Sequence, residues 1–125
     1  MTILIVDDER DAELLFRQRF RKELRGGALN LVFAFSGEEA LSYFSSDSAD
    51  AVLVLSDINM PGMNGLDLLQ HIKSSRPDLP VFMVTAYAGE FQSRALALGA
   101  DGYINKPIDF EALKNQILTV SGGGE

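Results

Sequence analysis

Carboxylate side chains follow two of the apolar runs in this chain. Asp7 and Asp8 come directly after residues 3–6, and Asp57 comes just after residues 51–55. Three carboxylates in one place repel each other unless positive charge lies among them. Oxygen ligands without histidine or cysteine suit a hard cation, and two or three carboxylates suit octahedral Mg²⁺. The three acids therefore predict a magnesium site, provided that the fold brings the ends of the two runs together.

Two further side chains follow later apolar runs and would complete such a site. Thr85 comes after residues 81–84, and Lys106 comes shortly after residues 103–104. A carboxylate such as that of Asp57 can attack phosphorus and form an aspartyl phosphate. Phosphoryl transfer also needs positive charge and hydrogen-bond donors around the transferred oxygens. Mg²⁺, the lysine ammonium and the threonine hydroxyl would supply them.

Five short apolar runs alternate with five stretches of helical spacing. The runs are residues 3–6, 29–35, 51–55, 81–84 and 103–104. The apolar stripes of the helices contain Leu15, Phe16, Phe20 and Leu24; Ala40, Leu41 and Phe44; Leu66, Leu69 and Ile72, with Lys73; Phe91, Ala95 and Leu98; and Phe110, Leu113 and Ile117. The alternation predicts an α/β fold, in which five helices cover a doubly wound, five-stranded parallel sheet. In such sheets, ligands bind at the carboxyl ends of the strands, where all the polar residues above would meet.

Several local signals predict where helices begin and end. Ser36 and Glu39 have the spacing of a capping box, and Asp109 is the expected N-cap of the last helix. Glycines at 26–27 and at Gly99 stand where helices should stop. Residues 121–125, Ser-Gly-Gly-Gly-Glu, indicate a flexible tail, a linker or an artificial terminus after a domain of residues 1–120.

Composition narrows the possible functions. The chain has 125 residues, enough for one domain, and 46% of them are hydrophobic, so we expect a folded core. The formal net charge of -7 argues against direct binding of nucleic acid or of an anionic membrane surface. There is no cysteine, which excludes disulfides and thiolate metal sites and fits the cytoplasm. Apolar runs of about five residues are far too short to span a membrane.

The chain resembles the receiver domains of bacterial two-component response regulators, the CheY-like family. The matching pieces are residues 5–9 (IVDDE), 56–65 (SDINMPGMNG), 84–86 (VTA), 99–103 (GADGY) and 105–107 (NKP). They occur in this order at the predicted strand ends, and the match covers about residues 2–120. The resemblance implies a flavodoxin-like sheet with the strand order 2-1-3-4-5.

The resemblance also implies a role for each acid. Asp57 would be the phosphoacceptor. Asp8 would bind Mg²⁺ directly and Asp7 would bind it through water. The backbone carbonyl of Asn59 would be a further ligand.

The remaining matched residues would sense the phosphoryl group. The Thr85 hydroxyl and the backbone amide of Ala86 would contact it, and Lys106 would pair with it. The bond between Lys106 and Pro107 is expected to be cis. Thr85 would move toward the phosphoryl group on phosphorylation, and Tyr103, as the switch aromatic, would rotate inward into the space behind it.

The function implied is a signalling switch and not an enzyme with turnover beyond its own phosphorylation and slow dephosphorylation. A sensor histidine kinase or a phosphotransfer protein would donate the phosphoryl group. The altered surface would then bind an output domain, a separate target or a second copy of the chain.

Two other functions stay open from the residues. A Mg²⁺-dependent phosphohydrolase of the haloacid dehalogenase type also uses an aspartyl nucleophile, but it usually has a second aspartate two residues later, where this chain has Asn59. An interaction module that works without phosphorylation is the third reading, and the intact set of acids with Lys106 argues against it.

Overall fold

One parallel sheet runs through the centre of the protein. The structure is a computed structural model that describes residues 1–46, 49–87 and 89–122, the last two by their backbone alone. The strands are β1 Thr2–Val6, β2 Asn30–Ala34, β3 Leu53–Asp57, β4 Val81–Thr85 and β5 Gly102–Asn105. Their order across the sheet is β2-β1-β3-β4-β5. The predicted α/β fold and strand order are confirmed, and β3 ends on Asp57 itself.

Within the described residues, six helices cover the two faces of the sheet. They are α1 Asp11–Arg19, α2 Arg21–Arg25, α3 Gly37–Phe44, α4 Gly65–Ser75, α5 Gln92–Ala97 and α6 Phe110–Gly122. The count differs from the predicted five because the first predicted helix is interrupted at Phe20, where φ is -104° and ψ is 19°. The Phe20 ring is 2% exposed and meets the Phe110 ring edge-on at 6.0 Å. The helix therefore breaks at a residue whose ring is held in the core.

Side chains of alternate strand residues fill two separate cores. In β1, Leu4 and Val6 belong to the core beneath α3, α4 and α5, whereas Ile3 and Ile5 belong to the core that contains α1 and α6 residues. Burial on both faces explains why β1, β3 and β4 are continuously apolar over residues 3–6, 53–55 and 81–84. The predicted stripe of the first helix is wrong at Leu15, which is 41% exposed.

Most of the predicted helix ends are confirmed. Glu39 N–H donates to Ser36 Oγ at 3.0 Å, but the Glu39 carboxylate accepts from the amide of Phe35 and not from that of Ser36, so only half of the capping box forms. Asp109 Oδ1 accepts from the Ala112 amide at 3.1 Å, as expected of an N-cap. Gly99 has a φ of +101°, the left-handed conformation that ends many helices.

The chain beyond residue 120 is described only in part. Helix α6 includes residues 121 and 122 in its range, and residues 123–125 lie outside the described residues. The boundary at residue 120 and the 121–125 tail stay predictions. No helix in the described part of the chain is long and apolar enough to cross a lipid bilayer.

Lys73 ties the end of α4 to the starts of two strands. Its Nζ donates to the Leu79 carbonyl oxygen at 2.8 Å and pairs with Asp101 Oδ2, also at 2.8 Å. The same Asp101 oxygen accepts from the Val81 amide at 2.9 Å. A lysine in an otherwise apolar stripe is thus explained, because its stem is largely buried and its ammonium satisfies groups at the base of the sheet.

Candidate functional site

The strand register brings the polar residues to one edge of the sheet. β1 ends at Val6, which lies opposite Ser56, so Asp7 follows beside the end of β3. Thr85 ends β4 opposite Asn105. The charged residues that end or follow these strands meet there: Asp7, Asp8, Asp57 and Lys106. The predicted convergence at the carboxyl edge is confirmed, and the predicted cis bond before Pro107 is also present.

One ammonium group is shared between two nearly buried carboxylates. Lys106 Nζ lies 3.3 Å from Asp57 Oδ2 and 3.4 Å from Asp7 Oδ2. Asp57 is 6% exposed and Asp7 is 9% exposed. The second oxygen of Asp7 accepts from the Glu9 amide at 2.9 Å, which fixes the orientation of that carboxylate. Charge-assisted hydrogen bonds of this kind are stronger than neutral ones, so they hold the cluster in place.

Burial and the neighbouring charges perturb the pKa of both Asp57 and Lys106. Burial raises the pKa of Asp57, Lys106 lowers it in part, and Asp7 and Asp8 raise it further, so the net pKa lies above the ordinary 3.8. For Lys106, burial lowers the pKa, but Asp57 and Asp7 together raise it above the ordinary 10.5. The difference has a simple cause. The lysine is paired with two carboxylates, whereas Asp57 has one ammonium and two like charges.

The three carboxylates have the chemistry and the spacing of a cation site. One oxygen from each of Asp7, Asp8 and Asp57 lies within 4.8 Å of the other two. A single lysine leaves this group with an excess of negative charge, and three oxygen donors without nitrogen or sulfur suit a hard divalent cation. The residues present therefore fit Mg²⁺.

The Thr85 hydroxyl is engaged with the loops around the site. It is fully buried, it donates to Asn59 Oδ1 at 3.2 Å, and it accepts from the Tyr87 amide at 3.1 Å. Asn59 itself is exposed, two residues beyond Asp57. The Thr85 hydroxyl is thus hydrogen-bonded to the side chain of Asn59.

Tyr103 continues this chain of hydrogen bonds from β5. Its hydroxyl donates to the Tyr87 carbonyl oxygen at 3.4 Å and accepts from the Phe91 amide at 3.3 Å. Residue 87 is therefore bonded to Thr85 through its N–H and to Tyr103 through its C=O. The chain extends from the edge of the sheet to Phe91, the N-cap of α5.

The start of α4 is packed directly against the backbone of Asp57. Asn64 and Asp67 form a complete capping box there. The Gly65 amide donates to the Ile58 carbonyl oxygen at 2.8 Å. A methyl group on Gly65 would lie 2.7 Å from Ile58 Cα and 2.9 Å from the Asp57 carbonyl carbon, and closer still to the Asp57 carbonyl oxygen. Only glycine permits so close an approach.

The same arrangement characterises a known family. The family model described as "Response regulator receiver domain" matches residues 3–118. The chain belongs to this receiver family. Response regulator MprA of Mycobacterium avium is 35% identical over 114 residues, which cover 90% of this chain and 47% of that protein. A protein named cyclic di-GMP phosphodiesterase, from Thermotoga maritima, is 35% identical over 118 residues, 94% of this chain and 30% of that protein.

A solved structure of a response regulator is similar to this one over nearly the whole chain. The response regulator TrrA of Thermotoga maritima, solved in complex with Mg²⁺ and BeF, is 32% identical and has a TM-score of 0.79. The alignment covers 95% of this chain and 97% of that one. By contrast, the chain spans less than half the length of the two curated relatives above. The receiver domain in those proteins is therefore one part of a longer chain.

The receiver domain contains features that sequence reasoning missed. The bond from the Thr85 hydroxyl to the side chain of Asn59 was not foreseen. Neither was the role of the Tyr87 peptide between Thr85 and Tyr103. Gly65 had a usable signal, because a glycine in the first helical position, directly after an Asn cap, indicates that another backbone lies close by.

Proposed function

We propose that this receiver domain accepts a phosphoryl group on Asp57 and signals by the resulting change of its surface. The observation that carries the proposal is the Lys106 ammonium, 3.3 Å from Asp57 Oδ2 in a nearly buried acidic cluster. A carboxylate placed beside a cation, at the edge where ligands bind in such sheets, is set to act as a nucleophile. Membership of the receiver family supports the same role.

In the proposed reaction, an Asp57 carboxylate oxygen attacks phosphorus. A bond forms between that oxygen and phosphorus while the bond from phosphorus to the donor breaks, and the electron pair leaves with the donor. Lys106 would pair with the phosphoryl oxygens, and Thr85 with the amide of Ala86 would donate hydrogen bonds to them. Asp57 must be ionised to attack, so its raised pKa makes the reaction slow under acidic conditions.

We assign the cation ligands to the three acids and one backbone group. Asp8 and Asp57 would bind Mg²⁺ directly, Asp7 would bind through water, and the Asn59 carbonyl would add a further oxygen. When bound, Mg²⁺ supplies positive charge that offsets the carboxylates and the phosphoryl oxygens.

The switch would use the hydrogen-bond chain from Thr85 to Tyr103. A phosphoryl group adds roughly -1.5 to -2 charge and three acceptor oxygens. Thr85 would turn toward it, and Tyr103 would rotate inward behind Thr85. The altered surface of α5, β5 and α6 would then bind its partner. Coupling of this kind is typically about 1–3 kcal/mol, enough to shift a population between two states.

The partners we propose follow from the family. A sensor histidine kinase or a phosphotransfer protein in the cytoplasm would donate the phosphoryl group. The receiver would act on an output domain, a separate target, or a second copy in a phosphorylation-dependent homodimer. The relatives differ in what accompanies their receiver, so the kind of output is left open.

Labelling with a small-molecule donor tests the proposal. We expect acetyl phosphate with Mg²⁺ to add one phosphoryl group to the wild-type chain, as seen by intact mass spectrometry, and to add none to Asp57→Asn. Asp78→Asn, which changes an exposed aspartate in the loop before β4, is the matched control and should label normally. Full labelling of Asp57→Asn would end the assignment. Steady hydrolysis of small phosphate esters would favour a phosphohydrolase instead.

A further inference from the structure

One methionine holds the loop between β3 and α4 against the start of α3. A methyl group on Gly37 would lie 2.8 Å from Met63 Sδ, 2.9 Å from its Cγ and 3.1 Å from its Cβ, so the Met63 side chain lies directly against the Cα of Gly37. The preceding loop residue is also near α3, since a methyl group on Gly62 would lie 3.6 Å from Glu38 Oε2. Two successive residues of the loop thus lie beside the first two residues of α3.

The loop has few other anchors in this stretch. Of residues 59–63, Met60 and Met63 pack against the core beneath α3, α4 and α5, and the other three residues are exposed. Gly37 is buried, and the methionine occupies the space in which a side chain at that position would begin. Glycine at residue 37 therefore allows the loop to come this close to α3.

The contact joins two segments that both lead to the proposed cation site. On one side, the loop carries the Asn59 carbonyl, which is one of the assigned ligands. On the other side, Gly37 follows β2 by three residues, and the Ala34 carbonyl at the end of β2 accepts from the Asp7 amide at 3.1 Å. The distance between the Asn59 carbonyl and the acids after β1 therefore depends in part on where Met63 lies.

We propose that Met63 is a positioning residue for the cation site. Its contact with Gly37, called the clasp below, holds the Asn59 carbonyl in place and so raises the affinity of the site for Mg²⁺. A loop that is already ordered loses less conformational entropy when one of its carbonyls binds a cation. The proposal rests on the proposed function, because the cation ligands are assigned there, and Met63 acts through the loop without touching the cation.

Calorimetric titration of the full chain with Mg²⁺ measures the effect of the clasp. We expect Met63→Ala to bind Mg²⁺ about tenfold more weakly than wild type, the lower end of the range for a group that orients a metal ligand. Met63→Leu has a similar volume and should bind within about twofold of wild type. Ile117→Val removes a buried carbon from the other core, so it should lose stability but bind Mg²⁺ like wild type.

Substitution of Gly37 disturbs the clasp from the side of α3. The methyl group of Gly37→Ala would press on Met63 as far back as Cβ, which cannot swing away with the end of the side chain, so the loop backbone must move. We expect a loss of Mg²⁺ affinity similar to that of Met63→Ala. Gly26→Ala is the matched control and should bind like wild type, because a methyl there would meet only the Lys22 carbonyl oxygen, at 3.4 Å.

A double-mutant cycle tests whether the two residues act through one contact. In a Met63→Ala background, Sδ and Cγ are gone, and the methyl group of Gly37→Ala enters space that is already empty. Adding Gly37→Ala to that background should therefore change Mg²⁺ affinity by less than about twofold.

Amide NMR of the metal-free chain provides a readout that does not involve the cation. Fast motion of the loop should increase in Met63→Ala, so the heteronuclear NOE of the Asn59 and Gly62 amides should fall. The same values should stay at the wild-type level in Ile117→Val, which does not touch the loop.

The outcomes distinguish the clasp from the function on which it rests. Equal Mg²⁺ affinity in wild type and Met63→Ala would overturn the clasp alone, and so would losses that multiply in the double variant or an unchanged heteronuclear NOE at Asn59 and Gly62. A wild-type chain that binds no Mg²⁺ would end the cation site and the clasp together. A wild-type chain that binds Mg²⁺ but takes no phosphoryl group from acetyl phosphate would end the proposed function, and the tenfold loss in Met63→Ala would still support the clasp.

Discussion

Replacing Gly65 with alanine would test how tightly the start of α4 is packed against the strand that carries Asp57. The added methyl would lie 2.7 Å from Ile58 Cα and 2.9 Å from the Asp57 carbonyl carbon. Ordinary contacts begin near 3.4 Å, so relieving the contact with Ile58 Cα alone requires a shift of about 0.7 Å, the difference between 3.4 and 2.7 Å, and the nearer Asp57 carbonyl oxygen requires a larger one. Both sides of the contact are backbone, which cannot rotate away as a side chain can.

The expected loss of stability has two parts, strained packing and a weakened hydrogen bond. Forcing extra atoms into a packed interior typically costs about 1–3 kcal/mol. The 2.8 Å bond from the Gly65 amide to the Ile58 carbonyl would be stretched, which removes about 0.5–1.5 kcal/mol more. Alanine regains less than about 1 kcal/mol through its helix propensity. These contributions sum to about 0.5–4.5 kcal/mol, and we expect the free energy of unfolding to fall by about 2–3 kcal/mol, near the middle of that range, and Tm to fall by about 10 °C.

Urea titration and thermal melting, both followed by circular dichroism, measure the effect. The matched control is Gly26→Ala, because Gly26 has a φ of -77° and a methyl there would meet only the Lys22 carbonyl oxygen, at 3.4 Å. We expect that variant to lie within about 1 kcal/mol of wild type. If Gly65→Ala melts within about 2 °C of wild type, the close approach does not hold in solution and the reasoning fails.

Three other substitutions test the charges. Without Mg²⁺ at pH 7, Asp57→Asn should be more stable to urea than wild type. The pKa of Asp57 is raised in the folded state, so wild type loses stability as the pH rises from about 3.8 through that pKa. The stability gained by the variant should therefore vanish at lower pH. A gain that persists unchanged at low pH would contradict this. Lys106→Ala should bind Mg²⁺ much as wild type does but label slowly with acetyl phosphate, and lost metal binding with normal labelling would refute its role. Lys73→Met should lower the free energy of unfolding by about 1–2 kcal/mol, because the ion pair with Asp101 and the hydrogen bond to the Leu79 carbonyl are lost. Lys22→Met, at an exposed position, should have almost no effect in the same urea titration.

The sheet and the convergence of its polar residues could be predicted from the sequence because both depend on short-range patterns. Parallel strands that are buried on both faces contain continuous apolar runs, and their carboxyl ends share an edge. The sequence alone could therefore place Asp57 and Thr85 at that edge. Local capping chemistry likewise predicted the start of α6 at Asp109.

What the sequence could not predict depends on contacts between distant segments. The break at Phe20 lies where its ring packs against Phe110, a residue far along the chain, whereas helix spacing alone gives an uninterrupted stripe. The bond from Thr85 to Asn59 joins residues that are 26 positions apart, and no periodicity predicts which side chain a buried hydroxyl will choose. Helix spacing predicts that Leu15 lies in the core, but its side chain is partly exposed to solvent.

The hydrogen-bond chain through Tyr87 and Tyr103 also has a spectroscopic consequence. The protein contains three tyrosines and no tryptophan, so its near-ultraviolet absorption and its fluorescence are dominated by phenol rings. The third tyrosine, Tyr43, is hydrogen-bonded through its hydroxyl to residues 50 and 51 and takes no part in the hydrogen bonds of Tyr87 and Tyr103. A Tyr43→Phe variant would therefore keep only Tyr87 and Tyr103, the two tyrosines that hydrogen-bond to each other. In that background the domain would carry its own optical probe, and no attached dye would be needed to follow a change of state.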